Sequence, residues 1–318
     1  MTETDSKGRY ANRPGDMSWR AWKSILSRVY VTMSNADLTL RCAGVAYYGF
    51  LSIFPMLACF VLVYGLVTTP ASLQQQLSIL EPLLPQAVNE ILLQRLSQLI
   101  DQPDAGLGIG LVVSLAIAFW SGSRGTSAMI SAISRTYLET DDRSFIAGAF
   151  LSLGLTLAAL VFMILVLVAV AATPLLVNVL PFEHHAETLA LWLRWPFLAV
   201  MVWVAISVLY RIAPHREGAK VRWITPGAAL ATVLWLVLSA LFSLYVENFA
   251  NYNATFGSLS AAVVMLLWFY YSTSVVLLGA GINAELEHQT SIDTTTGPAR
   301  PMGERGAYVA DHVASQKD

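Results

Sequence analysis

The residues with the most chemical promise are polar groups set inside long apolar runs. Arg124 follows "LVVSLAIAFWSGS" and sits between Gly122 and Gly125, small residues that let another backbone or a ligand come close. A charge at the centre of a bilayer costs roughly 3 kcal/mol even on the cautious insertion scale, so such an arginine either reaches an interface or meets an anion. Tyr270, Tyr271, Ser272, Thr273 and Ser274 form a second polar patch within an apolar run. That patch has to face protein or water-filled space, whether as interhelical hydrogen bonds or as a polar pathway. Asn283 and Glu285 close the same run, and Arg135 and Tyr137 follow the Arg124 segment. Arg124, Arg135, Tyr137, Tyr270, Tyr271, Ser272, Ser274, Asn283 and Glu285 are therefore the expected substrate- or lipid-binding set.

Catalytic constellations are not visible. The five histidines are His184, His185, His215, His288 and His312, and no HExxH, CxxC, GxSxG or phosphate-loop pattern accompanies them. The tightest cluster is Glu183, His184, His185 and Glu187, but adjacent side chains do not share a helical face, so a solvated loop is expected rather than a metal site. Neither paired carboxylates for metal ions nor a basic, aromatic-interleaved face is present. The expectation is a protein that is not an enzyme, with no catalytic residue, no metal, no cofactor and no nucleic-acid partner.

The elements that carry these residues are spans. Only 13% of the 318 residues are charged and 56% are hydrophobic, against about 25% charged in a soluble domain. Mean hydropathy is +0.58. A bilayer core needs about 20 apolar residues as helix, and six segments supply them: about 43–67, 105–129, 147–172, 189–209, 224–246 and 259–282. All of the 19 Lys and Arg residues except Arg95 and Arg194 fall on one side of that arrangement. Basic loops stay in the cytoplasm, which places both termini inside. The fold class is all-α, a polytopic membrane protein of about six spans.

Between spans, the 68–104 connection starts helices at Thr69–Pro70 and again at Pro85, with apolar residues recurring at helical spacing. Two amphipathic outer helices are expected there, as a cap over the bundle or as the lining of a cavity. The "TPLLVNVLPFEHHAE" connection is expected to dip along the outer interface. Residues 17–42 alternate Trp19, Trp22, Ile25, Val29 and Tyr30 with basic residues, the pattern of a helix lying on the inner leaflet. Tails 1–16 and 290–318 are polar and aperiodic and are expected to be disordered, leaving 17–289 as the membrane domain. Gly148, Ser152 and Thr156 make a small-residue stripe that allows close helix contact, and Pro55 interrupts the first span. Cys42 and Cys59 lie 17 residues apart on one helix, too far to form a disulfide. A cleaved signal peptide is not expected at the start of the chain, and the spans show no internal repeat.

Three segments carry a family likeness: "AGVAYYGFLSIFPML" (43–57), "SAISRTY" (131–137) and "YNATFGSLSAAVVMLLWFYYSTSVVLLGAGINAELEH" (252–288). Together they resemble the YihY/BrkB family of bacterial inner-membrane proteins, over about residues 17–290. Members of that family commonly have an acidic residue where this chain has Gly281, so a role resting on that carboxylate does not transfer, whereas Asn283 and Glu285 match. The resemblance implies no settled activity. The family's old ribonuclease name is regarded as a misassignment, and members are linked to envelope integrity and to movement of lipid or lipopolysaccharide precursors. The expected function is transport or translocation of an anionic amphiphile such as a lipid or envelope precursor. A non-transporting scaffold for envelope assembly or integrity is the alternative. The expected partners are membrane lipids, anionic ones included; a homo-oligomer and contacts with envelope proteins stay open.

Overall fold

The computed structural model describes residues 8–67, 107–179, 184–248 and 258–314. Six long helices stand where the six apolar runs predict them: α2 (Ala36–Val67), α3 (Leu107–Thr136), α4 (Phe145–Val179), α5 (His184–Ile212), α6 (Val221–Asn248) and α7 (Ser258–Gln289). A shorter α1 (Trp19–Met33) precedes them, and a single turn, α8 (Tyr308–Asp311), lies near the end. Among the described residues, stretches of α4, α5, α6 and α7 are long and apolar enough to cross a membrane. This is an all-helical, integral membrane protein.

Helix packing runs as a ring. α2 lies against α3 and α7, α7 against α6, α6 against α5, and α4 joins α5 back to α3. α7 also touches α3, which makes it the hub. Two backbone approaches need glycine. A Cβ on Gly227 of α6 would run into the Gly279 carbonyl of α7, and a Cβ on Gly279 would run into the Tyr210 hydroxyl. Where α2 and α3 cross, a Cβ on Gly125 would meet the Gly49 Cα at 3.2 Å. Ser152 and Thr156 of the expected stripe are buried, and the Thr156 hydroxyl bonds that of Thr126 at 2.8 Å. That part of the stripe serves a contact within one chain.

Both terminal segments and the connections 137–144 and 213–220 meet on one face, called here the terminal face. The Ser291 N–H donates to the Arg9 carbonyl at 2.8 Å, and Arg143 donates to the carbonyls of Ala213 and Pro214 at 3.0 Å each. Every buried side chain described on α2–α7 lies in the half next to this face: Leu38–Ala46, Ser123–Thr136, Ser152–Thr156, Ile206–Tyr210, Trp223–Thr232 and Thr273–Gln289.

Two expectations are corrected. The tails are not loose: residues 8–16 and 290–314 pack on the terminal face, with Thr290 and Thr294 excluded from solvent. Their polarity is used internally, because the Thr290 hydroxyl donates to the Ala11 carbonyl and the Lys220 N–H to the Thr294 carbonyl. The second outer connection is also shorter than expected, since α4 continues through Pro174 to Val179 and α5 begins at His184. A proline removes one ladder bond, which a long helix packed among others absorbs. The two outer helices expected between 68 and 104 lie outside the described residues.

Candidate functional site

A groove of about 290 Å³ opens where the start of α2 meets α6 and α7. Met33, at the end of α1, closes one edge; Leu38 and Cys42 of α2 and Leu238 of α6 form its apolar walls. Tyr270, Tyr271 and Ser274 of α7 contribute the polar atoms, with Thr39 opposite. Local sequence explains the shape. Asn35 ends α1 and restarts the chain as α2, its side-chain oxygen accepting the Asp37 N–H at 3.0 Å. One helical turn then separates Leu38 from Cys42 on a single face. On α7, Tyr270 and Ser274 are likewise one turn apart, and the Ser274 hydroxyl donates to the Tyr270 carbonyl at 2.8 Å. Tyr271 is 48% exposed at the mouth.

The rest of the polar patch is structural. Ser272 accepts a hydrogen bond from the Trp235 indole at 3.2 Å, and Thr273 is buried. The patch therefore divides along α7 between the groove and the contact with α6.

Below the groove, toward the terminal face, lies a second polar centre that bears on the expected residues. Asn283 is fully buried and clamps the start of α6: its Oδ1 accepts the Gly227 N–H at 2.8 Å while its Nδ2 donates to the Ile224 carbonyl at 2.9 Å. Pro226 lies between those two residues, so Asn283 supplies partners where the helix ladder is interrupted. Glu285 pairs with Arg28 of α1 at 2.6 Å, and the same arginine donates to Gln289 at 2.7 Å. Arg216 is buried and donates through Nη2 to both oxygens of Glu287 at 2.8 Å, while the Thr294 hydroxyl holds Glu287 at 2.7 Å. The Arg216 guanidinium lies 4.7 Å from the centre of the Tyr137 ring. Burial opposes the Arg216 charge, but Glu287 more than offsets it and the arginine stays cationic. Burial drives the Tyr137 hydroxyl well above its ordinary value.

The expected set thus does not converge on one site. Tyr270, Tyr271 and Ser274 share the groove. Tyr137, Asn283 and Glu285 belong to the terminal-face network. Arg124 is exposed on the side of α3, stacked 5.6 Å over Trp120, and Arg135 is exposed nearer the end of that helix. An arginine whose side chain is buried against a carboxylate is Arg216, which the sequence presents as one more basic loop residue. Its "PHREG" context carries no apolar signal, and only the tertiary pairing with Glu287 reveals it. Leu38, Cys42 and Met33 were also not singled out for the groove, because each reads as ordinary helix packing. The side chains of Glu183, His184, His185, Glu187 and Arg194 lie outside those described. Among the described residues, no group of three or more His, Cys, Asp or Glu gathers as a metal site.

Known proteins supply the relationship. The chain is 31% identical over 274 residues to the ribonuclease-like protein YfkH of Bacillus subtilis, covering 85% of this chain and 97% of that one. It is 27% identical over 262 residues to a UPF0761 membrane protein of Psychromonas ingrahamii, covering 79% and 83%. A UPF0761 membrane protein of Idiomarina loihiensis is 27% identical over 183 residues, 57% of this chain and 61% of that one. No solved structure matches. The family model described as virulence factor BrkB matches residues 29–303, which takes in α2–α7, the groove and most of the terminal-face network, and the chain belongs to that YihY/BrkB family.

Proposed function

We propose that the protein binds an anionic amphiphile, a membrane lipid or a lipid-linked envelope precursor, in the groove between α2, α6 and α7, and passes it across or along the bilayer. The observation that carries this reading is the groove's make-up: apolar walls, a hydroxyl-bearing edge at Tyr270, Tyr271 and Ser274, and a size near the lower end of the ~300–1,000 Å³ typical of small-molecule sites. Such a space suits a length of acyl chain, with the head group left outside. Exposed Arg135, Arg211 and Arg222 on the terminal side are basic groups that favour an anionic head group. Arg28, Arg143 and Arg216 are committed to protein partners and drop out of that role. The reading takes the terminal face as cytoplasmic and the membrane as the bacterial inner membrane, on the strength of the basic residues gathered there. It assigns the protein no catalytic step.

The test is a photo-crosslinking amino acid at Tyr271, activated in native membranes, with adducts identified by mass spectrometry. Adducts enriched in one anionic head-group class over bulk lipid support the reading. Adducts that mirror the bulk membrane sink it. The scaffold alternative puts its contact surface at residues 69–100, outside the described residues, and expects protein adducts from that segment with no head-group selection at Tyr271.

A further inference from the structure

α1 presents two faces, and the second has no partner among the described residues. Ala21, Ile25 and Val29 point inward, where they are buried with Trp223, Ile282 and Leu286. Arg28 adds the ion pair to Glu285. This docking is extensive enough to fix the helix against the end of α7. On the outward side, Trp19 is 78% exposed, Tyr30 73% and Leu26 47%. At about 100° per residue, Lys23, Leu26 and Tyr30 fall at about +40°, −20° and +20° from Trp19, so the four occupy an arc of about 60°. The strip thus combines two aromatic rings that each carry a polar atom, one aliphatic side chain and one lysine. Arg20 stands at its flank. In water a strip of that kind is a liability. At a bilayer surface its parts match the medium, with rings at head-group depth and cations toward anionic phosphates.

We propose that the outward strip of α1 docks in the plane of the anionic bilayer leaflet on the terminal side, with Trp19, Leu26 and Tyr30 inserted and Lys23 and Arg20 at the head groups. Two observations favour lipid as the occupant over another protein. The strip runs into the lipid-facing surface of the bundle, since α1 and α2 are separated only by Ser34 and Asn35 and Leu40 just beyond is 73% exposed. The flanking charges on the strip are both positive, complementary to an anionic leaflet. This surface is separate from the groove and does not depend on what the groove holds.

The experiment uses the full chain with Cys42 and Cys59 changed to serine and one cysteine placed at position 24, 26 or 30, carrying an environment-sensitive fluorophore. The protein is reconstituted in vesicles of phosphatidylcholine alone, or with phosphatidylglycerol added, with nitroxide-bearing lipids as quenchers. Labels at Leu26→Cys and Tyr30→Cys are expected to be blue-shifted and quenched by the nitroxide lipids, while the label at Ser24→Cys is not. Phosphatidylglycerol should strengthen that quenching, and Arg20→Gln with Lys23→Gln, or high salt, should remove the gain. Labels at 26 and 30 quenched no more than the label at 24 would overturn the proposal. So would a blue shift with no lipid quenching, which signals a second copy or another protein on the strip. Equal quenching with and without phosphatidylglycerol would overturn the anionic requirement. Size-exclusion profiles matching the parent chain establish that each variant is folded.

Discussion

Next to the termini, the bundle is a protein core in the ordinary sense. Trp223, Ile133, Leu277 and Leu286 are excluded from solvent, Asn283 satisfies backbone groups on both sides of Pro226, and the Arg216–Glu287 pair is sealed by Thr294. Farther along the same helices, Val161 and Leu165 of α4, Val200 of α5, and Val237 and Leu241 of α6 are about half exposed or more. The difference assigns the stabilising medium for each half. The terminal half is held by protein contacts, polar ones included, while the far half relies on lipid, which is as apolar as its side chains. The groove lies at the border between the two halves, lined by Leu38 and Cys42 on one side and Leu238 and Tyr271 on the other.

The sharpest way to break this contrast is to remove a partner from the buried pair. Glu287→Ala leaves Arg216 charged and buried, and a loss of roughly 3–5 kcal/mol is expected, read as a large drop in thermal unfolding temperature in detergent. Adding Arg216→Met should recover much of it, because an uncharged side chain needs no counterion. Next in size is the helix crossing: Gly227→Val drives a side chain into the Gly279 carbonyl and should destabilise by about 1–3 kcal/mol or more. Val237→Ala, on the lipid side, should stay within about 0.5 kcal/mol by the same measurement. If the two glycine and valine variants behave alike, the division into halves fails.

Much of the division was legible beforehand. Six long helices, the amphipathic helix α1 and the meeting of both termini on one face follow from apolar run length and from where basic residues fall. What stayed hidden rests on pairings between residues far apart in sequence. Thr290 and Ser291 bond to Arg9 and Ala11 across some 280 positions, so a polar, aperiodic tail that reads as disorder is ordered by contacts no local pattern encodes. Arg124 drew notice because its neighbours are apolar, yet it is exposed on the side of its helix, whereas Arg216, in a polar loop, has its side chain buried against Glu287.

Two smaller effects sharpen the account of the terminal face. Burial raises the Asp293 carboxyl, but hydrogen bonds from Thr295 and the Arg300 N–H outweigh it and leave it below its ordinary value. A depressed carboxylate contributes stability above its unfolded value, about pH 4, and loses it as pH falls through the folded value. Proteolysis of the 290–314 segment should therefore rise on acidification below about pH 4, with Asp293→Asn blunting the pH dependence. Glu139 is shifted the other way, chiefly by burial, although it accepts the Tyr308 N–H at 2.7 Å. Its ionised form is disfavoured in the fold at neutral pH and the penalty fades as pH falls through its raised value. Glu139→Gln keeps the acceptor and should leave unfolding temperature unchanged or slightly higher at pH 7.

The most direct test of the central claim is lipid mass spectrometry of purified wild-type protein beside Ser274→Trp, which fills the groove, and Arg124→Ala, which lies outside it. The groove reading predicts one anionic lipid class enriched over the bulk membrane in wild type and in Arg124→Ala, and lost in Ser274→Trp. Equal lipid profiles in wild type and Ser274→Trp, or a loss confined to Arg124→Ala, would contradict it.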